Sequence, residues 1–404
     1  MRLFSLIFIV LLFFQSIIFA QESWIRRSDF AEFRYRAAAF SIGNKGYIGT
    51  GLAPGKRNND LWEYNPDSDT WQQLADLPAP GREGAVGFSI NGKGYIGGGL
   101  TNTQGLHNDF WEYNPQTDQW TQKADIRIDF ASRGSLVSFS IGSRGYIKAS
   151  FIDYNFSEYD PLSDRWLEKA NFPGSGRLNL VGFAIGTKGY IGTGFARFEF
   201  TSEFWEYDPA TNQWSEKADF PGSPRGGAVG FSIGDKGYIG LGNAGGGIFP
   251  KDFWAYDPVS DSWTEIDSSG YRADGAFSFN IGSKGYVGTG LFLAVGEFWE
   301  YDPAFNSIKI IDEFLLQDNY PNPFNLSTTI RYELPESSEV TIKIYNILGD
   351  EVHVLFDKTY LNSGCHFIVW HGLDNSGIMV STGVYFYQIQ AGNLVKMKKM
   401  LLLK

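Results

Sequence analysis

Apolar and polar positions alternate in short runs along most of this chain, and the runs come in fours. Within residues 85–123 they are Ala85–Ile90, Gly94–Gly98, Asp109–Tyr113 and Gln119–Lys123. A period of two sends Trp111 and Tyr113 to one face of a strand and Glu112 to the other. Asn91-Gly92-Lys93 joins the first pair and predicts a tight hairpin in which glycine supplies positive φ. Asn114-Pro115-Gln116-Thr117-Asp118 joins the second pair, where proline presets φ and Asn and Asp bond their own backbone. No long amphipathic helical pattern interrupts these runs, so the predicted class is all-β.

The four-run unit repeats. F-S-I-G-x-K-G-Y-I-G-T-G begins at Phe40 and returns at Phe88, Phe139, Phe183, Phe231 and Phe279, at intervals of 48, 51, 44, 48 and 48 residues. F-W-E-Y-[DN]-P places Trp62, Trp111, Trp205, Trp254 and Trp299 at one position, with Ser157 instead in the third unit. Nine residues later stand Trp71, Trp120, Trp166, Trp214 and Trp263, with Ile308 in the sixth unit. A fixed period of this length means an array of like supersecondary units. Four-stranded sheets repeating radially make a β-propeller, and small residues such as Ala85 and Gly87 on the inner strand let six blades converge. Of the 12 tryptophans, eleven belong to this array and each holds a repeat position. They read as core rather than as sugar-stacking platforms.

The Y-I-G-G-G, the W-E-Y-N-P and the trailing Trp resemble kelch repeats over residues 22–311, which implies a six-bladed propeller of that type. The third unit departs most, with Ile147-Lys148-Ala149 in place of I-G-T-G, and is expected to pack differently. Trp24 lies 16 residues before Phe40, as Trp71 lies 17 before Phe88, so Ser23–Arg27 is expected to supply the outer strand of the sixth blade. It would pair with Glu297–Tyr301 and close the ring; Ser307–Ile311 is the competing candidate. Residues 2–20 form an apolar run after one Arg, with Ala20 preceding Gln21, and read as a secretory signal peptide cleaved there. No cysteine follows that point to carry a lipid anchor, and no other stretch is apolar enough to span a membrane.

The repeat stops near Phe314. Alternating runs at Thr328–Leu334, Val340–Asn346, His366–Trp370 and Gly383–Gln390 predict a small antiparallel β-sandwich. The expected boundaries are 1–20 signal peptide, 21–311 propeller, 312–319 linker and 320–404 sandwich. Tyr320-Pro321-Asn322-Pro323-Phe324-Asn325, the 341–352 stretch TIKIYNILGDEV, W-x-G-x-D-N-S-G at 370–377 and the K-K-M-L-L-L-K ending resemble the C-terminal sorting domain of type IX secretion cargo. Cys365 and His371 stand where aromatic and acidic residues are more usual in it. The resemblance implies recognition by the type IX translocon, removal by its C-terminal signal peptidase, and a secreted or cell-surface destination.

Composition narrows the chemistry. With 34 Lys+Arg against 45 Asp+Glu, the chain has no basic surplus for nucleic acid. A single cysteine rules out an internal disulfide framework and a Cys-based zinc site. Kelch galactose oxidases build a copper radical centre from two Tyr, two His and a Tyr–Cys crosslink. This propeller has one histidine, His107, and no cysteine, which excludes such a centre. No HExxH, nucleophile elbow, P-loop or EF-hand pattern occurs, and no cofactor or metal is expected. Asp67, Asp69, Asp118 and Asp261 recur in the strand 3–4 turns, where turn chemistry accounts for them.

One constellation remains. Arginine stands six residues before the repeat Phe at Arg34, Arg82, Arg133, Arg177 and Arg225, and Arg272 is displaced by one. These arginines are expected to ring one mouth of the channel, near loop aromatics Phe195, Phe198, Phe200, Phe249 and Phe292. Glu63, Glu112, Glu158, Glu206 and Glu300 on the third strands are plausible partners for them. Ala255 breaks that series, so Arg225 is expected to keep free donors for a carboxylate or phosphate. The pattern points to a binding or scaffold propeller for a carbohydrate, an anionic ligand or a protein. The alternative is a sugar-modifying enzyme resembling kelch epimerases that mutarotate sialic acid, with Glu83 and Asp274 as the candidate acids.

Overall fold

The computed structural model describes residues 23–101, 105–126, 136–148, 155–174, 176–196, 198–268, 270–291, 296–306, 314–362 and 364–403. The signal peptide, Arg133, Phe292 and the alternative closing segment 307–311 lie outside them. One compact unit is Ser23–Pro303 and the other contains Ala304–Lys404.

Six antiparallel four-stranded sheets make up the first unit. In the second of them the strands are Val86–Ile90, Lys93–Gly97, Phe110–Asn114 and Gln119–Lys123, within a residue of the sequence expectation. Each blade's inner strand packs beside the next, and Phe277–Ile281 of the sixth returns to Ala38–Ile42 of the first. The ring is therefore closed. Trp24–Arg26 is the outer strand of the sixth blade, with Trp24 opposite Tyr301, Ile25 opposite Glu300 and Arg26 opposite Trp299. The N-terminal strand thereby pairs the edge of Phe298–Tyr301 and gives the sixth blade its fourth strand.

The repeat signature is explained by blade-to-blade contact. Phe40 lies against Gly94 of the following blade, Phe88 against Gly145, Phe139 against Gly189, and so on until Phe279 meets Gly46. A Cβ at any of these glycines would overlap the ring, so the K-G-Y step has no room for a side chain. Farther out, Trp120 Nε1 donates to Ala75 O of the preceding blade at 2.9 Å, and Trp71, Trp166, Trp214 and Trp263 repeat the bond. Asp69, Asp118 and Asp261 do more than shape turns. Asp118 Oδ1 accepts both the Tyr113 hydroxyl at 2.8 Å and the Ala75 N–H of the preceding blade at 2.9 Å. Asp69 and Asp261 accept the same pair of hydrogen bonds, whereas Asp67 is exposed in its turn. In the third blade Lys148 is buried where the others carry glycine.

The second unit is a sandwich of a three-stranded and a four-stranded antiparallel sheet. Ile342, Ile344, Tyr387, Ile389 and Met400 pack against Ile330, Tyr332, Leu334, Trp370 and Phe324 in its core. Two strands go beyond the sequence expectation, Glu351–Leu361 and Leu394–Leu402. The expected linker at 312–319 is corrected, because Leu315–Leu316 pairs with Glu333 and Tyr332 and Phe314 is buried in this core. The Pro-Asn-Pro-Phe motif is laced to the last strand, since Phe324 N–H donates to Leu401 O at 3.0 Å and Leu401 N–H donates to Asn322 Oδ1 at 2.9 Å.

Candidate functional site

The four described repeat arginines are buried clamps and do not line the mouth. Arg34, Arg82, Arg177 and Arg225 are each at most 1% exposed. Arg82 grips Asp109 through both terminal nitrogens, at 2.5 and 2.9 Å, and donates to Gly98 O at 3.0 Å. Arg34 holds Asp60, Arg177 holds Glu203 and Arg225 holds Asp252 in the same place. Each carboxylate also accepts an indole N–H from the repeat Trp two residues on. Phe30, Phe172 and Phe220 lie 5.0, 5.5 and 4.9 Å from the guanidinium carbons of Arg34, Arg177 and Arg225.

The expectation for Arg225 is thus corrected. Its partner comes from the residue before the third strand, and its Nε also donates to Ser223 O at 2.8 Å. The third-strand glutamates lie about three residues deeper along the strand, roughly 10 Å away. They accept instead from second-strand tyrosines, as Tyr47 does to Glu63 at 2.7 Å and Tyr95 to Glu112 at 2.8 Å. Burial pushes the Asp109 carboxyl up, yet the Arg82 and Trp111 hydrogen bonds and the guanidinium charge hold it below the usual range. Asp252 is held low in the same way by Arg225 and Trp254. In the sixth blade Ala273 takes the arginine position, and the Tyr271 hydroxyl reaches Thr289 O in place of a guanidinium; Arg272 is exposed.

Two residues past the arginine position, among the described residues, backbone bonds join neighbouring blades around the channel mouth. Arg36, Gly84, Asn179, Gly227 and Gly275 all have φ between 52 and 66°. Arg36 N–H donates to Gly275 O at 2.8 Å, Gly84 N–H to Arg36 O at 2.9 Å, Gly227 N–H to Asn179 O at 2.9 Å and Gly275 N–H to Gly227 O at 3.0 Å. The inner strands line an open space of about 170 Å³, with Ala39, Gly87, Gly182 and Gly230 among the lining residues.

Polar side chains converge on this amide ring. Arg36 reaches across it from the first blade, and its Nη2 donates to Asn179 Oδ1 of the fourth at 2.6 Å. Its guanidinium carbon lies 4.9 Å from the Tyr35 ring centroid. Asp274 is 7% exposed, and its Oδ1 has no hydrogen-bond partner. That oxygen lies against Gly227, where a Cβ would overlap it. Burial raises the Asp274 carboxyl above its ordinary value, and Arg36 together with a hydrogen bond from Asn243 only partly offsets this. Glu83 is also buried but is held by Arg57, at 2.5 Å from Nη2 and 3.1 Å from Nε. Burial is likewise the main cause that raises the Tyr35 hydroxyl, with the Asp274 and Glu83 charges adding to it.

Of the other sequence candidates, Phe198 is 93% exposed at a hairpin tip, and Phe249 is half-buried. Arg36, Asn179 and Asn243 were not singled out by the sequence reading. Their signal was Arg36 standing at a position that the second, fourth, fifth and sixth units fill with Gly or Asn, a left-handed site where arginine is uncommon.

Residues 318–403 match the model of the family described as secretion system C-terminal sorting domain. No curated protein matches the chain. Among solved structures, the structure of YjhT is similar at 16% identity and a TM-score of 0.58, covering 67% of this chain and 96% of that one. A likeness at that identity concerns the fold. Together with the closed ring of six sheets, it makes the first unit a β-propeller in fold. The sorting domain marks the chain as type IX cargo, secreted or held at the cell surface. Among the described residues, no helix is long and apolar enough to cross a membrane.

Proposed function

We propose that this exported six-bladed propeller, a kelch-type cargo of type IX secretion, is a binding module whose ligand is a carbohydrate held at the ringed channel mouth. The observation that carries this reading is the pairing of two unlike groups there. Arg36 offers N–H donors fixed by Asn179 from the opposite blade, and Asp274 offers a buried acceptor oxygen without a partner. A buried, unsatisfied carboxylate oxygen is costly unless something donates to it. A sugar hydroxyl is such a donor, and its neighbouring oxygens accept from Arg36. An anionic group on the sugar would add a charge-assisted bond to the same guanidinium. In this reading the translocon and its signal peptidase are partners of the tail alone, and the signal peptide at 1–20 starts the export route.

The test is a glycan array probed with the full mature chain and with Arg36→Gly, a change suited to the left-handed φ that Gly84, Gly227 and Gly275 share. Retention of a glycan by the parent and its loss in Arg36→Gly is the expected result. Equal retention by both, or none by either, overturns the reading.

A second reading, a sugar-modifying enzyme, draws on the raised carboxyl of Asp274 close to the Tyr35 hydroxyl. A carboxyl that is protonated nearer neutral pH suits general acid–base work. Glu83, the other candidate acid, is already tied to Arg57. Accelerated anomer exchange by proton NMR, lost in Asp274→Asn, would favour this reading over simple binding.

A further inference from the structure

We infer that the site accommodates an extended glycan chain, with one terminal sugar at the mouth and the following units running over Phe200 and Phe198. The inference rests on the saccharide reading of the mouth, and the surface that carries it is continuous from Asp274 outward. Asp274 Oδ1 lies on Gly227, and the preceding Gly226 sits between the fourth and fifth blades. A Cβ at Gly226 would stand 3.3 Å from both Asn179 Cβ and the Phe200 ring. A Cβ at Gly245 would stand 3.0 Å from the far edge of the same ring. Phe200 therefore leans over a floor of glycines beside the polar centre.

The hairpin that carries Phe200 grows directly from the mouth. Phe195 and Leu178 exchange backbone bonds at 2.8 and 2.9 Å, one residue from Asn179. Phe195–Ala196 pairs with Glu199–Phe200, and the Phe195 and Phe200 rings meet at a tilt of 59° with centroids 5.0 Å apart. Phe198 occupies the tip, 93% exposed and with φ at 71°. An aromatic in the left-handed region is uncommon, and residues held there cluster at binding sites. Water gains nothing from a phenyl ring at that point, whereas the C–H face of a sugar does. Ile248, 61% exposed beside Gly245, Gly246 and Gly247, adds apolar surface on the neighbouring loop. A single sugar at Asp274 and Arg36 would leave this aromatic run unused. A chain of two or more units would cover it.

The test measures affinity of the full mature chain for mannose, galactose and galacturonate oligomers of one, two and four units. Phe198→Asn, which suits a left-handed tip, and Arg36→Gly are measured alongside. In at least one series the tetramer should bind more tightly than the monomer. Phe198→Asn should weaken the tetramer about three- to tenfold and leave the monomer unchanged. Arg36→Gly should weaken both. A tetramer bound no better than its monomer, or unaffected by Phe198→Asn, overturns the extended-chain inference and leaves the mouth reading standing. Binding insensitive to Arg36→Gly overturns the mouth reading, and no binding in any series overturns both.

Discussion

Trp24 Nε1 donates to Asp267 O at 2.7 Å, joining residues 243 positions apart. It is the sixth of the indole-to-carbonyl bonds that run from blade to blade, and the one that closes the circle. Ser23 Oγ adds a bond to Asp267 Oδ2 at 3.3 Å, and the Trp24 ring packs on Phe253 and Tyr301 at centroid distances of 4.5 and 5.0 Å. Both ends of the propeller chain thus meet in one blade.

Trp24→Ala removes the closing bond and a side chain only 4% exposed. Loss of a buried Trp costs about 3–5 kcal/mol. Thermal melts should show a large drop, and amide exchange should rise first along Phe298–Tyr301, whose outer partner is this strand. A uniform rise across all blades would count against a local closure role.

The Arg–Asp clamps should behave as structure. Asp109→Ala leaves the Arg82 guanidinium buried without its partner, at about 3–5 kcal/mol. The pair Arg82→Met with Asp109→Leu should lose less, because no uncompensated charge remains. Asp109 has its carboxyl lowered in the folded state, so its contribution is present above the ordinary value of 3.8 and fades as pH falls below it. Denaturant melts of the single and double variants from pH 3 to 7 check both statements. A double variant no better than Asp109→Ala would contradict them.

Removing residues 314–404 should leave the propeller folded, since every strand of its six sheets lies before Pro303. The truncated protein should accumulate in the periplasm, because the sorting domain is what the secretion machinery reads. Fractionation with a blot against the propeller measures this. Normal amounts at the surface or in the medium would contradict the sorting role.

Blade number and closure were legible because packing imposes them at fixed offsets. Gly94 must be glycine to receive Phe40, and Trp24 stands before Phe40 within one residue of the spacing that Trp71 keeps before Phe88. The arginine series was legible as a position but not as an environment, because burial depends on strands distant in sequence. Its true partners were nonetheless periodic: Asp60, Asp109, Glu203 and Asp252 each stand two residues before a repeat Trp. The mouth cluster was the least legible part. Arg36, Asn179, Asn243 and Asp274 belong to four different blades, and only ring closure brings them together. The strands Glu351–Leu361 and Leu394–Leu402 escaped for a simpler reason, since charged residues interrupt their alternation.

Asp274 gives a pH test of the mouth that needs no ligand. Its carboxyl is raised by burial, so the folded state holds a proton over a range where the unfolded chain has released it. Stability then falls as pH rises from the ordinary value of 3.8 through the raised folded value, and levels off above it. Asp274→Asn removes the titration and keeps the shape of the side chain. The variant should therefore be more stable than the parent at pH 7, and the difference should shrink as pH falls below about 4. A ligand that donates to the unpaired Oδ1 favours the ionised form, so it should reduce the advantage of the variant at pH 7. Melts of both proteins across pH 3–8 decide the point. A parent as stable as Asp274→Asn at pH 7 would mean that the buried oxygen is already satisfied, and the mouth would lose its acceptor.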